Sequence, residues 1–544
     1  MLYKCTDKKK KQTMNEKQRF TEELCKETEL KDGEMRQFEV QGQPILLVKH
    51  NGTFSAIGSK CSHYGAPLIK GALVGDRVRC PWHGACFNVK TGDIEEYPGL
   101  DSLPCFKVSV ENGAVSIVTS LKELASQKRI KHMSTHSPND RSTIAIIGTG
   151  PAGLVCAETL RQEGYGGRIV MVTRDDHMPY DRTKLSKAMG TNASDIYLRP
   201  AEFFAENGIE VWTSKEVVDV QVDDSRIKFR DGSLLQYSQL LIATGSRPVA
   251  PTCPGSNLKN VFLLRTPEDA NAISEIVVNR NVVIMGSSFI GMEVAAYLSG
   301  KASSVSIIGR SSVPFQAALG PKIGELAMKL LQDQGVNFHM NTEAREIRGD
   351  GGQVSEVILR NGVQIPADVV VAGIGVTPVS SFLKGYKVAV DRRGAIYVDE
   401  FMRTSVPGVF AAGDVVTFPL AMMEGHRVNI GHWQMAHSHG RIAALNMLNK
   451  HVPLNSVPYF WTSLLGKSIR YAGYGEGYTE IIMKGNLQDL KFLAFYIKDD
   501  CVVAVSSMNF DPVVSQIAEI MLSGRRFTKK EVLKEDFMDL GISI

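Results

Sequence analysis

Thr143-Ile-Ala-Ile-Ile147, Gly148-Thr-Gly150-Pro-Ala-Gly153 and Leu154-Val-Cys-Ala-Glu-Thr-Leu160 read in succession as strand, glycine turn and helix. In such a unit the first glycine makes the tight turn, the second lets backbone approach a pyrophosphate, and the third lets helix pack on strand. The helix N-terminus then faces the anion. The next apolar run, Arg168-Ile-Val-Met-Val-Thr173, ends near Asp175, 22 residues past Gly153, where an acid can hold a ribose hydroxyl. A second unit follows at Val282-Val-Ile-Met-Gly286-Ser-Ser288-Phe-Ile-Gly291-Met-Glu293. Its first and third glycines are Gly286 and Gly291, but the middle one is Ser288, so either the loop shifts or the ligand sits farther out. Its strand Val305-Ser-Ile-Ile308 ends in Gly309-Arg310-Ser311-Ser312 with no acid; an Arg among hydroxyls suits a 2′-phosphate, which favours NADPH over NADH.

Upstream, Cys61-Ser-His63 and Cys80-Pro-Trp-His83 stand sixteen residues apart, each supplying one thiol and one imidazole. A Rieske [2Fe-2S] cluster takes two Cys on one iron and two neutral His on the other. Zinc sites group Cys with Cys and His with His, so Cys61, His63, Cys80 and His83 are read as cluster ligands. The surrounding Cys61-Ser-His-Tyr-Gly65-Ala66 and Cys80-Pro-Trp-His-Gly84 resemble the cluster loops of Rieske ferredoxins and oxygenase components. Respiratory Rieske proteins add a Cys to each loop, where this chain has Ala66 and Trp82. The resemblance therefore implies a potential toward the lower end of a range of roughly −150 to +300 mV. Cys86 and Cys105 match no ligand position and are read as small buried residues. From about Gln37 to Val118, short β-type runs alternate with Asn-Gly turns, as expected of a small all-β domain.

Two dinucleotide units, with Leu241-Ile-Ala-Thr-Gly245 between them and Val409-Phe-Ala-Ala-Gly-Asp414 after them, resemble the FAD/NAD(P)-dependent reductase family. Pro179-Tyr-Asp-Arg182-Thr-Lys-Leu-Ser-Lys187 is similar to the flavin-facing segment of ferredoxin reductases and apoptosis-inducing factors. The resemblance implies that the first unit binds FAD and the second NADPH or NADH, with the chain after the second unit returning to complete the first. It implies that Arg182 contacts FAD phosphates, Lys187 approaches the isoalloxazine paired with Glu293, Asp414 lies near the ribityl chain, and Arg265 and Trp461 line the flavin, with interface core the alternative reading of Trp461. With the Rieske domain in front, the whole chain resembles the Rieske-containing members of the apoptosis-inducing-factor-like proteins, which implies a pro-apoptotic, mitochondrial association.

Composition is ordinary for globular protein: 544 residues, 43% apolar, 22% charged and a formal charge of +4. No stretch joins dense Lys/Arg to regular aromatics, so nucleic acid is not expected, and no run reaches the length of a membrane span. Lys8 to Lys11 lack the Arg-rich, acid-poor character of a transit peptide, and the nine Cys form no disulfide framework, so an intracellular, reducing location is expected, cytoplasmic unless the mitochondrial resemblance decides otherwise. No C-x-x-C stands against the flavin segment, which argues against disulfide reduction; Cys156 is read as packing. His432-Trp-Gln-Met-Ala-His437-Ser-His439 lacks a carboxylate or Cys at ligand spacing and is read as a helix near the flavin.

The expected organisation is multidomain: a flexible tail over 1–20, an all-β Rieske domain over 21–120 and a flexible polar linker over 121–141. The α/β reductase then comprises an FAD-binding domain over 142–265 and 385–450, an NAD(P)-binding domain over 266–384, and a C-terminal α+β, dimerisation-like cap over 451–544 that leaves a homodimer open. The expected activity is electron transfer from NAD(P)H through FAD and the cluster to an acceptor that the sequence does not name. The alternative is a signalling protein that senses nicotinamide redox state with little turnover.

Overall fold

Along Ala114–Ser120 buried and less buried residues alternate, Val115 and Ile117 being wholly inaccessible, and this two-residue period turns one face of the strand to a core. The strand belongs to a six-stranded antiparallel sheet in the order Arg19–Lys26, Ala114–Ser120, Cys105–Glu111, Thr53–Gly58, Gln43–His50, Met35–Val40. Leu47, Phe54, Phe106 and Val115 fill its core. A second sheet of four short strands, Ala72–Val74, Arg77–Arg79, Cys86–Asn88 and Ile94–Glu96, carries the loop that begins at Cys80. The computed structural model describes residues 18–534 except 384 and 386, and divides into two units at Lys131 and His132. Of the expected tail over 1–20, the described end is not loose: Arg19 and Phe20 pair with Ser120 and Thr119.

The expected flexible linker is also bonded in. Ser120 caps a short helix, Leu121–Ala125, with Glu123 closing a capping box. Arg129 exchanges backbone bonds with Ser102, and its guanidinium reaches the carbonyls of Leu103 and Thr91 and the carboxylate of Asp93. Ser134 and Ser137 donate backbone N–H groups to the carbonyls of Arg161 and Gly166 in the second unit. Polar composition was read as solvation, whereas here it serves hydrogen bonds to neighbouring backbone. Cys105 differs too: it heads a strand on which Phe106 is buried, so alternation turns Cys105 outward, its thiol donating to the Lys90 carbonyl at 3.2 Å.

In the second unit Thr143–Ile147 is the centre of a parallel sheet ordered Ile209–Trp212, Arg168–Val172, Thr143–Ile147, Gln239–Ile242, Val409–Ala411. The last strand arrives from far along the chain, Leu240 pairing with Val409, and Trp433–Met447 then crosses the fingerprint helix Pro151–Gln162. That crossing is close enough that a Cβ on Gly440 would lie 2.1 Å from the Ala152 carbonyl oxygen. The second dinucleotide fold has the same parallel plan: Val261–Leu263, Val369–Ala372, Asn281–Met285, Ser304–Ile308, Val336–His339. Its edge strand Val261–Leu263 precedes the expected start at residue 266, because Val261 to Leu263 pair in parallel with Val370 to Ala372 and so belong to this sheet. The C-terminal part forms a five-stranded antiparallel sheet beginning with Tyr459–Leu464, with a helix at Val513–Leu522. Phe492 and Tyr496 of that sheet share one apolar core with Ile284 and Met292 of the second dinucleotide fold.

Candidate functional site

The four expected cluster ligands sit on two loops built alike. In the first, Cys61 N–H donates to the Ala66 carbonyl and Gly65 N–H to the Cys61 carbonyl; in the second, Cys80 N–H donates to Ala85 and Gly84 N–H to Cys80. Gly65 and Gly84 hold φ of 75° and 79°, left-handed values that a side chain would strain. The two thiols are buried and adjacent; the Cys80 thiol beside it, together with burial, pushes the Cys61 thiol well above the usual range. The two imidazoles meet with Nδ1 atoms 3.2 Å apart. Among the described residues no three His, Cys, Asp or Glu side chains converge on one point, as a single zinc ion requires. The donors come instead as a pair of sulfurs and a pair of nitrogens, the division that a two-iron Rieske cluster makes between its irons, so the residues fit that group. Residues not singled out in the sequence fix the loops. Ser62 Oγ donates to the Asp101 carbonyl at 2.6 Å, and Arg79, 1% exposed, donates to the Gly84 carbonyl and to Glu96.

In the second unit a cavity of about 650 Å³ opens at the N-terminus of Pro151–Gln162. Gly148, Gly150, Asp175, Arg182, Arg265 and Asp414 line it, six of the residues expected to hold FAD. A Cβ on Gly148 would lie 2.2 Å from the Ala243 carbonyl oxygen, and one on Gly153 would lie 2.0 Å from that of Gly148, so these two glycines are required by packing. Gly150 is different: a Cβ there meets nothing within 4 Å. The open space lies where unpaired helix N–H groups face out, which is a cradle of the kind a pyrophosphate fills, and the residues fit FAD. Asp175 does not point into free space. Its carboxylate accepts from Arg182 Nη2 at 2.8 Å and from the Tyr180 hydroxyl at 3.1 Å, so it orients Arg182. Burial alone would raise the Asp175 pKa, but the Arg182 guanidinium holds it below the ordinary carboxylate value. Burial, reinforced by Arg182, lowers that of Arg265. Ser246 Oγ donates to Asp414 at 2.9 Å. Trp461 is absent from the cavity wall, whereas Trp433, at the start of the crossing helix, is on it. The reason lies in the fold: the helix that packs on Pro151–Gln162 brings Trp433 there. His432 and His439 are kept neutral by burial, at about 4 and about 3, and the run they belong to is helical from Trp433.

Lys187 and Glu293, expected as a pair, are joined: Lys187 Nζ lies 2.7 Å from Glu293 Oε2. Glu293 is 4% exposed, and two further donors complete its shell, Ser186 Oγ at 2.5 Å and Thr462 Oγ1 at 2.8 Å. One carboxylate of the second dinucleotide fold thus collects donors from the first fold and from the C-terminal sheet. Ser186 sits beside Lys187 in the quoted segment, but nothing local marks Thr462, which comes from 169 residues away.

A second cavity, of about 640 Å³, lies over the second fingerprint and is lined by Gly286, Ser288, Arg310, Thr342, Glu343, Arg345 and Arg360 among others. Gly286 and Gly291 repeat the first fold: φ at Gly286 is 112° against 109° at Gly148, and a Cβ on Gly291 would lie 2.0 Å from the Gly286 carbonyl oxygen. Ser288 keeps extended backbone, φ −99° and ψ −165°, close to the −70° and −171° of Gly150, so the loop has not shifted to admit its side chain. Arg310 is not a lone cation: its Nε lies 2.9 Å from Glu343 Oε2.

The sequence matches the family described as pyridine nucleotide-disulphide oxidoreductase over residues 142–440, the Rieske [2Fe-2S] domain over 21–107 and the reductase C-terminal domain over 459–540. It is 51% identical over 514 residues to apoptosis-inducing factor 3 of Homo sapiens, covering 94% of this chain and 85% of that one. It is 33% identical over 369 residues to the ferredoxin–NAD(+) reductase subunit of the benzene 1,2-dioxygenase system of Pseudomonas putida, covering 67% of this chain and 89% of that one. The crystal structure of the covalent putidaredoxin reductase–putidaredoxin complex superposes with a TM-score of 0.70 at 28% identity, covering 74% of this chain and 98% of that one.

Proposed function

The chain belongs to the pyridine nucleotide-disulphide oxidoreductase family and carries a Rieske domain, and from that premise we propose that it is an NAD(P)H-dependent oxidoreductase that moves electrons by way of FAD to its own [2Fe-2S] cluster and on to an acceptor. FAD, when bound, supplies the conversion between a two-electron donor and one-electron transfers. The chain's own residues do the rest. Gly148, Gly150 and the N-terminus of Pro151–Gln162 would hold the pyrophosphate, with Arg182 turned by Asp175 toward the same anion. Asp414 and Arg265 line the remainder of that cavity.

The observation that carries the reading is Glu293. It accepts from Lys187, Ser186 and Thr462 at the junction of the two dinucleotide folds, where donor and flavin have to meet. A partly buried ammonium held there favours negative charge on a reduced ring, and a buried carboxylate with three donors keeps that ammonium in place. Dithiol chemistry has no support despite the family's name: Cys156 is buried within its helix, and burial pushes its thiol far up. The relatives named as ferredoxin–NAD(+) reductases support a nicotinamide donor. The Rieske domain in the same chain supports an internal first acceptor in place of a separate ferredoxin. Likeness to a protein named apoptosis-inducing factor 3 supports a pro-apoptotic setting; the mitochondrial one rests on the family resemblance of the sequence alone.

The test is an anaerobic titration of iron-replete, FAD-loaded protein with NADH and with NADPH, following flavin bleaching optically and the cluster by electron paramagnetic resonance. Bleaching followed by a reduced Rieske signal is expected. Bleaching with a cluster that stays oxidised would remove the cluster from the path and leave nicotinamide sensing as the better account.

A further inference from the structure

The second dinucleotide fold lacks an acid where its second strand ends, at Gly309, and the structure shows what stands nearby. A Cβ on Gly309 would lie 2.5 Å from Ser287 Oγ and 2.7 Å from Met340 Cε, so a side chain there enters only if both of those side chains turn aside. The chain leaving the next strand, Val336–His339, runs alongside instead. Gly309 N–H donates to the His339 carbonyl at 3.0 Å, Asn341 N–H to Ser311 at 3.1 Å, and Thr342 N–H to Gly309 at 3.0 Å. This ladder sets Thr342 and Glu343 beside the strand end where an acid would ordinarily hold the adenosine ribose.

Both side chains are suited to that task. Thr342 is 9% exposed and lines the cavity, yet its Oγ1 has no hydrogen-bond partner. A buried hydroxyl without a partner is costly and uncommon, and a ribose hydroxyl in the cavity would supply one. Glu343 accepts from Arg310 Nε at 2.9 Å on one oxygen and from Arg360 Nη2 at 2.7 Å on the other. A carboxylate with two such bonds still has lone pairs free to accept from a ribose diol. Its charge also decides what the neighbouring cations can do. With Arg345, the cavity wall carries three guanidiniums that would by themselves make a site for a 2′-phosphate. Glu343 engages two of them and sets its own negative charge where that phosphate would lie.

We propose that Thr342 and Glu343 bind the adenosine ribose hydroxyls of the nicotinamide dinucleotide, and that Glu343 makes the cleft select NADH over NADPH despite Arg310. The proposal rests on the reading of this cleft as the nicotinamide site and reverses the preference drawn from Arg310 alone. It is tested on the FAD-loaded full chain by kcat/KM for NADH and NADPH with ferricyanide as acceptor, together with direct binding of each nucleotide by calorimetry. The wild type is expected to favour NADH by at least about tenfold, and E343Q to move the ratio of the two kcat/KM values toward NADPH by about tenfold or more, chiefly through KM. T342V is expected to raise KM for NADH several-fold while leaving kcat within about twofold. A wild type that favours NADPH, or an E343Q ratio unchanged within about twofold, overturns the assignment while the cleft remains the nicotinamide site. If calorimetry shows neither nucleotide binding the wild type, the reading of the cleft itself falls, and the assignment with it.

Discussion

Substituting Gly150 separates binding from folding, because its backbone, at φ −70° and ψ −171°, is open to any residue and a Cβ meets nothing within 4 Å. Gly150 is the N-cap of Pro151–Gln162, a position where Ser is as good as Gly or better, so Gly150→Ser should change the stability of the flavin-free protein by less than about 0.5 kcal/mol. The hydroxymethyl group instead enters the cradle. Overfilling a packed contact costs about 1–3 kcal/mol, which is about 5- to 150-fold in the dissociation constant for FAD. Gly153→Ala supplies the contrast. Its Cβ would lie 2.0 Å from the Gly148 carbonyl oxygen, so strand and helix must separate, at a cost at or above the top of that same range of about 3 kcal/mol, with or without flavin. The assay is FAD bound per chain after purification, joined to urea unfolding of the flavin-stripped protein. A Gly150→Ser variant that retains full FAD with unchanged affinity would refute the cradle, and so would one that unfolds as readily as Gly153→Ala.

Three other outcomes are expected. Thr462→Val leaves Glu293 Oε1 without its donor and should cost about 1–3 kcal/mol in urea unfolding, whereas Ser463→Ala on the same strand should cost less than about 0.5 kcal/mol. His83→Ala should yield protein without cluster iron that still binds FAD and still reduces ferricyanide with a nicotinamide donor; full iron content by colorimetric assay would contradict the ligand assignment. The carboxyl of Asp175 titrates lower in the folded protein than in the unfolded chain, so its contribution is complete above about pH 4 and is lost as pH falls through the depressed folded value. Asp175→Asn should therefore lie furthest below the wild type at neutral pH, and the gap in unfolding free energy should narrow below about pH 4; a gap constant from about pH 6 to 3 would rule this out.

Features read correctly from the sequence are those whose parts are close together in the chain. The fingerprint glycines, the pair of Cys-x-His and Cys-x-x-His loops and the segment ending at Lys187 each specify a local backbone, and each stands where it was expected. What escaped depends on partners far away. Val261–Leu263 was placed with the first fold because a three-residue strand has too short a pattern to name its sheet, and only its ladder with Val370 to Ala372 decides. Thr462 and Glu343 are ordinary residues in sequence, one completing the shell of Glu293 and the other meeting Arg310 across 33 positions. Cys105 stands outside the expectation for a related reason: the usual burial of a free thiol does not outweigh which side of a strand a position occupies.

The strand Val409–Ala411 has a consequence for how the chain is made. The first fold cannot close its sheet until Val409 arrives beside Leu240, roughly 170 residues later, after the whole second dinucleotide fold. At about 5–20 residues per second of synthesis, the ribosome holds Gln239–Ile242 with an open edge for roughly 10–35 s. A bare parallel edge of that kind invites foreign strands. The inserted fold, whose own five strands are all present by Ala372, can form during this interval. Cofactor loading at the first fingerprint is thereby placed among the last events of biogenesis, so a cell short of flavin would accumulate chains whose second fold is complete and whose first is not.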